Sequence, residues 1–552
     1  MTNKKNTFQS IFLISIYIII LILVFPTFKD HGVHIEEKFH RLNGLFWLNY
    51  VSKFFNFETI SLITEKKILE ISGFTLNKAG SYMDKYGVVL DLPAALIEIF
   101  FNLEKIENIY YVKQFMSFVL FLISSYFFFK ILDNRFKNFF LSLTGMLLFV
   151  TSPRIFGDSF LYKDVLFLSF FVIALYFFLK LTDKISKRDL IFFSLFCAVS
   201  FNLRVFAIFL PITFLIFLIL NNLDKRKIFN NLKIFLLFFF VLLFFTILLS
   251  PYLWTNTFTN LIDIFRPLER ASIGDNIKIL FNNEFYPNRN LPQTYLFTWI
   301  AITTPIITLL LFIFGYLTYA KRFLKRFISI EEKQIFNDLW RGKKEIKDFI
   351  IFLLLTSFVL TLLIFNSPFY NGWRLVYFLN IFIIYFSIFQ IHNLIIYFRN
   401  NIVKKKLLKT LVLISVLHNI VALISHHPFQ SYYFTELISE SKKNVFEGDY
   451  YGLSGKHFFL KLNSEYKNEK IKVAVASHTP LHRSLEGIEL NIRKKFNVIG
   501  QNYENADFIY KNNISEVNSR LNKKYDIPSN FVKIYELNIN GIRIYEIFKN
   551  IK

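Results

Sequence analysis

Long apolar runs broken by short polar segments dominate the chain, and run length is the first clue to architecture. A membrane-spanning helix needs roughly 20 largely apolar residues, with a range of ~17–25. On that rule the pattern predicts about eleven spans. They are Phe8 to Phe28, Val112 to Leu132, Phe139 to Thr151, Tyr162 to Leu181, Leu190 to Asn202, Val205 to Leu220, Ile234 to Ser250, Tyr295 to Tyr319, Phe349 to Phe365, Leu375 to Phe398 and Leu407 to Ile424. A further apolar stretch, Val88 to Phe101, carries Asp91, Pro93 and Glu98 and is flanked by Glu104 and Glu107. It is expected to lie along the interface as an amphipathic helix rather than to span.

After His426 the period changes from that of helices to that of strands. Ile471 to Ala476, Phe496 to Ile499, Phe508 to Tyr510, Phe531 to Leu537 and Ile542 to Phe548 read as strands, and Leu485 to Lys495 as a helix between them. The last two strands flank Asn540-Gly541, a strong hairpin signal. The expected fold is thus an α-helical polytopic membrane protein with a small C-terminal α/β domain. Residues 1–425 form the membrane part, including a long first loop at 29–111, and residues 426–552 form the tail domain.

Composition confirms the class, since 54% hydrophobic residues and 73 Phe exceed what a water-soluble fold can bury. The net charge of +24 does not point to nucleic acid, because the basic residues form short clusters between spans rather than one continuous face. They mark orientation instead. With Val88 to Phe101 kept out of the bilayer core, every dense basic loop falls on one side: Lys4/Lys5, Arg135/Lys137, Lys184/Lys187/Arg188, Lys225/Arg226/Lys227, Lys321 to Lys347 and Arg399 to Lys409. That side is the cytoplasmic one by the positive-inside rule. The single cysteine, Cys197, excludes an internal disulfide and a cysteine metal cluster. Phe8 to Phe28 follows two lysines but has no small-residue cleavage site, and reads as a retained anchor.

The acids and arginines concentrate on the opposite side. Asp30, Glu36 and Glu37 follow the first span, Arg154, Lys163 and Asp164 lie in the loop before the fourth, and Arg204 and Arg374 stand at outer ends of spans. A carboxylate there can take a proton from an attacking hydroxyl, and cations in a dry cavity stabilise a departing anion better than in water. Glu36, Glu37 and Asp164 are the catalytic candidates; Asp30, Arg154, Lys163, Arg204 and Arg374 are the substrate-binding ones. Plainer roles compete with each of these. Asp164 opens an apolar helix and can serve as a dipole partner, Arg204 can snorkel, and Arg374 beside Trp373 can anchor at the interface. His31, His34 and His40 near three acids suit a divalent cation, but their spacing is poor evidence and no metal ligand is assigned. A metal cofactor is left open.

Several segments carry a family resemblance. The run from His34-Ile35-Glu36-Glu37-Lys38-Phe39-His40-Arg41 through Trp47-Leu48-Asn49-Tyr50 looks like the first-loop acidic motif of the GT-C membrane glycosyltransferases, in the branch of protein mannosyltransferases and aminoarabinose transferases. Tyr86-Gly87 through Leu92-Pro93-Ala94, Ser152-Pro153-Arg154-Ile155-Phe156-Gly157 with Lys163-Asp164, Ser250-Pro251-Tyr252-Leu253-Trp254, Thr303-Thr304-Pro305, Tyr370-Asn371-Gly372-Trp373-Arg374 and Tyr450-Tyr451-Gly452-Leu453-Ser454 extend it. The resemblance implies a GT-C-like fold and sugar transfer, with inversion, from a polyprenyl-phosphate donor to a glycan, lipid or protein acceptor outside the cytoplasm. It also implies an integral protein of a bacterial inner membrane, its site and tail on the periplasmic or external face. Two departures matter: relatives show Asp-Glu where this chain has Glu36-Glu37, leaving open which carboxylate works, and Asp158 stands where relatives often show His, so no role is carried to it. A transporter or flippase of lipid-linked or polar solutes is the competing class, though repeated halves and broken helices are not evident. A scaffold whose tail binds a partner would leave the first-loop acids idle.

Overall fold

The computed structural model describes residues 2–72, 87–161, 164–221, 225–265, 278–328, 339–340, 342–466, 470–512, 514 and 523–551. The predicted spans appear as helices in the predicted order: α1 (Thr2–Val24), then in the first loop α2 (Glu37–Phe54), α3 (Glu58–Ser72) and α4 (Asp91–Phe100), then α5 (Ile106–Phe136) and α6 (Phe139–Val150). A short α7 (Pro153–Asp158) precedes α8 (Asp164–Asp183), α9 (Lys187–Leu203), α10 (Phe209–Asn221), α11 (Lys225–Leu248) and α12 (Thr257–Phe265). A hairpin of β1 (Lys278–Phe281) and β2 (Glu284–Pro287) leads to α13 (Tyr295–Thr303), α14 (Ile306–Ile328), α15 (Gly342–Ile364), α16 (Leu379–Tyr397) and α17 (Ile402–Ser425). Eight of the described helices are long and apolar enough to cross a membrane, and the protein is an integral membrane protein.

One predicted span is two helices. Tyr295 to Tyr319 breaks at Thr304-Pro305, where Thr304 adopts an extended conformation (φ −97°, ψ 130°). Proline has no N–H to give the preceding turn and pushes the residue before it out of the helical region.

The ambiguous stretch Val88 to Phe101 becomes α4, whose ten residues reach only ~15 Å and cannot cross a bilayer. Its acids bind it to α2. Glu98 receives two hydrogen bonds from Arg41, at 2.9 and 2.7 Å, and one from Lys67 at 3.0 Å. Asp91 accepts from Asn43 at 2.7 Å and pairs with His40 at 3.1 Å. Gly44 makes the approach feasible, because a Cβ there would lie 2.2 Å from the Asp91 carbonyl oxygen.

The alternating helices bring two sets of groups to opposite ends. At one end Arg135 pairs with Asp348, Lys347 with Asp183 and Arg326 with Glu345. The other end carries the first loop, α7, the segment before α16 and the whole C-terminal region.

There, β3 (Ile471–Val475), β4 (Phe496–Val498), β5 (Phe508–Asn512), β6 (Phe531–Ile539) and β7 (Ile542–Asn550) form one sheet in the order β4-β3-β5-β7-β6. β3 runs parallel to β4 and β5, and the remaining pairs are antiparallel. The hairpin signal holds: Asn540 and Gly541 both have positive φ (50° and 81°), as a tight turn matching strand twist requires. The helix expected over Leu485 to Lys495 is instead a 3₁₀ turn (Leu481–Gly487) followed by α19 (Leu490–Arg493), with Ile488 extended between them. Tertiary contact overrides helical propensity here. Tyr111 donates to the Gly487 carbonyl at 3.3 Å, and a Cβ at Gly487 would lie 2.4 Å from the Val33 side chain. The face of the sheet is covered by α18 (Ser454–Glu465), which buries Phe458, Phe459 and Leu462.

Candidate functional site

The first loop reaches its position by being pressed against the C-terminal region. A Cβ on Gly32 would lie 2.2 Å from the Leu453 carbonyl oxygen, so glycine alone permits that approach. Ile35 N–H donates to the Tyr451 carbonyl at 3.2 Å, Arg483 donates to the Ile35 carbonyl at 2.5 Å, and Gln114 donates to the Gly32 carbonyl at 3.0 Å. Glu36 then stands at the N-cap of α2 but does not cap it with its side chain. Its carboxylate lies 3.6 Å from Nη2 of Arg374.

Glu37, one residue on, faces elsewhere. It is buried and accepts a 2.7 Å hydrogen bond from Lys113 of α5. A single step along the chain at the start of a helix turns neighbouring side chains about 100° apart, which separates the partners of the two glutamates.

Arg374 is delivered by a tight turn. Asn371 and Gly372 both have positive φ (57° and 71°), and the Gly372 N–H donates to Glu447 at 3.0 Å and to the Tyr295 hydroxyl at 3.2 Å. Trp373 donates its indole N–H to Thr303 at 2.9 Å. The guanidinium that follows is 1% exposed and lies between the rings of Tyr370 (4.8 Å) and Tyr451 (5.2 Å). Its nearest carboxylates, Glu36 at 3.6 Å and Asp164 at 3.8 Å, are beyond hydrogen-bonding distance. Nε and Nη1 find no hydrogen-bond acceptor among the described residues. A buried cation with unspent donors is costly unless an anion meets it.

Asp164 is the first residue of α8 and is buried, so helix-dipole stabilisation and ion pairing act on it together. It forms a close ion pair with Arg204, which stands in extended conformation at the end of α9. Glu36, Asp164, Arg204 and Arg374 therefore come together from four separate segments.

Beneath them is a second polar layer. Arg154 of α7 is 2% exposed, donates from Nε to the Tyr433 carbonyl at 2.8 Å, and packs over Trp299 (5.0 Å) and Phe434 (4.7 Å). Its two terminal nitrogens have no acceptor among the described residues. Asp158 is fully buried and accepts a 2.9 Å hydrogen bond from the Tyr451 hydroxyl. Burial pushes its carboxyl up to about 6, partly offset by the hydroxyls of Ser431, Tyr451 and Tyr377 and by the charge of Arg154.

Not every sequence candidate arrives. Asp30 is exposed and pairs with His427 at 3.0 Å instead of joining the cluster. Lys163 lies outside the described residues. The three first-loop histidines separate: His31 stacks on Phe160, His34 accepts from the Glu36 N–H at 2.9 Å, and His40 pairs with Asp91. Among the described residues no group of three His, Cys, Asp or Glu side chains is placed to hold a metal ion. Sequence reasoning gave no role to Tyr451, Tyr370 or Asp158. A signal for Tyr451 exists in hindsight: Gly452 has φ +69°, and a Cβ there would lie 2.8 Å from Cγ2 of Ile35.

Residues 92–253 match the family model described as dolichyl-phosphate-mannose-protein mannosyltransferase, a GT-C type of family. The matched stretch includes Arg154, Asp158, Asp164 and Arg204; Glu36 and Arg374 lie on either side of it. The match agrees with the GT-C resemblance carried by the motifs and indicates a glycosyltransferase. No curated protein matches the chain.

Proposed function

We propose that this protein transfers a sugar from a polyprenyl-phosphate-linked donor to a glycan, lipid or protein acceptor on the non-cytoplasmic face of a bacterial inner membrane. The observation that carries this reading is Arg374, a buried guanidinium whose Nε and Nη1 meet no acceptor among the described residues, set between two carboxylates and reached from the first loop, α8 and α9. The donor phosphate takes up those N–H groups. In the reaction the acceptor oxygen attacks the anomeric carbon, the bond from that carbon to the phosphate oxygen breaks, and the electron pair leaves on the phosphate. One displacement of this kind inverts the anomeric centre. The acceptor proton goes to Glu36, the glutamate facing Arg374, whereas Glu37 is committed to Lys113. Arg204 and Arg374 stabilise the departing phosphate, Asp164 keeps the two guanidinium groups in place between turnovers, and Arg154 adds to the basic surroundings. Orientation follows from the basic clusters at the opposite end of the helices.

A transfer assay in detergent with a panel of polyprenyl-phosphate sugars tests this directly. Wild type should release polyprenyl phosphate without a sealed compartment, which a transporter would require. Glu36→Gln should lower turnover by about 10²–10⁴-fold. Glu37→Gln should act mainly by removing the carboxylate that buried Lys113 pairs with. Full activity in Glu36→Gln sinks the assignment of the base. For orientation, a cysteine placed at exposed Lys105 in a Cys197→Ala background should react with an impermeant reagent from outside; reaction from the cytoplasm alone overturns the sidedness.

A further inference from the structure

The C-terminal sheet is not a bystander to the membrane cluster, and one link between them passes through the Asp449 side chain. Asp449 is completely buried just before the Tyr450-Tyr451-Gly452 turn. It accepts hydrogen bonds from the Tyr432 hydroxyl (2.6 Å), the Leu453 N–H (2.9 Å), Ser454 (2.5 Å), and from Asn512 (3.0 Å) and Tyr510 (3.3 Å) of β5. A carboxylate held by five donors from a sheet, a helix start and a neighbouring turn fixes the backbone of that turn.

Tyr451 projects from it into the site. Its carbonyl receives the Ile35 N–H, one residue before Glu36, its ring lies against Arg374, and its hydroxyl ends on Asp158. One residue, through its backbone carbonyl and its side chain, thus touches the segment bearing the proposed base, the proposed phosphate-binding cation and a buried acid.

We propose that Tyr451 is a positioning residue for sugar transfer: with Tyr370 it clamps the Arg374 guanidinium at the height of Glu36 and Asp164, and Asp158 holds Tyr451 in that orientation. The proposal rests on the phosphate-binding role of Arg374. The ring face supplies a cation with stabilisation but satisfies none of its N–H groups, so the clamp fixes the plane of the guanidinium while leaving its donors for a ligand. A carboxylate in the same place would saturate them. The charged and titratable groups facing Asp158 are Arg154 from its own helix α7, Tyr377 from the segment leading into α16, Tyr432 beside Ser431, and Tyr450 and Tyr451 from the turn, and the Ser431 hydroxyl also faces it. Protonation of Asp158 removes the anion opposite Arg154 and weakens the acceptor for Tyr451. Because burial brings its carboxyl up to about 6, that change falls within an assayable range.

The test compares Tyr451→Phe, Tyr451→Ala and Asp158→Asn with wild type, per monodisperse folded molecule, against a polyprenyl-phosphate sugar. Tyr451→Phe keeps the ring and loses the hydroxyl; its KM for donor should stay within about twofold and its kcat should fall. Tyr451→Ala should raise donor KM by about tenfold or more. Asp158→Asn should flatten the acid limb of the kcat profile near pH 6, which a purely structural role would leave in place. Identical KM in Tyr451→Ala and wild type, or an unchanged acid limb in Asp158→Asn, overturns the proposal. Arg374→Lys separates the two layers of argument: donor KM unchanged in that variant refutes the phosphate-binding reading itself, whereas a raised KM there with no effect at Tyr451 refutes only the clamp.

Discussion

Two arginines at opposite ends of the helices face carboxylates in different ways. Arg135 gives two hydrogen bonds to Asp348, at 2.7 and 2.5 Å, and the Tyr385 hydroxyl adds another to the same carboxylate at 2.6 Å. Arg374 is as deeply buried, yet its carboxylates stand 3.6 and 3.8 Å away, and two of its nitrogens have no acceptor among the described residues. In the first pair the guanidinium grips both carboxylate oxygens at once. The second keeps donors in reserve at a cost in stability. Buried charge pairs at the two ends therefore differ: one fastens α5 to α15, and the other carries the N–H groups that the proposed function assigns to the donor phosphate.

The contrast breaks most clearly at the two-pronged pair of Arg135 and Asp348. Asp348→Asn leaves Arg135 buried and uncompensated and should cost about 3–5 kcal/mol of stability, read from unfolding in detergent, while kcat per folded molecule stays near wild type. Arg374→Gln should do the reverse, with transfer falling by about 10²–10³-fold and an unfolding midpoint closer to wild type than that of Asp348→Asn. If the two variants lose stability equally and activity equally, the distinction between the ends fails.

A subtler difference is in pH. The folded-state pKa of Asp158 is about 6 and its ordinary value 3.8, so the neutral acid is the form the fold prefers. Its favourable contribution is complete below pH 4 and is given up as pH rises through 6, by at most about 3 kcal/mol. Thermal midpoints of wild type and Asp158→Asn between pH 4 and 7 should diverge accordingly, the variant showing the flatter curve. The smallest effect belongs to the exposed pair of Asp30 and His427: Asp30→Asn should change stability by no more than about 1 kcal/mol and leave transfer within a few-fold of wild type.

How far the sequence reaches depends on whether the deciding contacts are local. Hydrocarbon-length runs and period-two strands are local patterns, and both the helices and the sheet lie where those patterns put them. The Asn540-Gly541 turn needs only its own two residues, and it forms as read. Pro305 carried the break in Tyr295 to Tyr319 in plain view, but apolar residues on both sides hid it. The helix expected at Leu485 to Lys495 fails for a tertiary reason, since Gly487 is pinned against Tyr111 and Val33.

The site is legible as a set of residue types and much less so as a set of pairs. Glu36, Asp164, Arg204 and Arg374 converge as charged groups on one predicted side would. Nothing in Glu36-Glu37 announces that Lys113, 76 positions beyond the second of them, pairs with it. Asp158 and Tyr451 are 293 positions apart, and their bond exists only once α7 and the late turn meet. Spacing rules see neighbours on one helix or strand, not partners brought together by folding.

The glycine-mediated meeting of Gly32 with Leu453, and the Asp449 anchor beside it, also set an order of assembly. A growing chain can insert α1 through α17 and still have no clamp on Arg374 and no fixed address for Glu36, because both depend on residues from Asp449 to Asn512. The cluster would then be completed late in biosynthesis, only after the helices that carry its charges are in place.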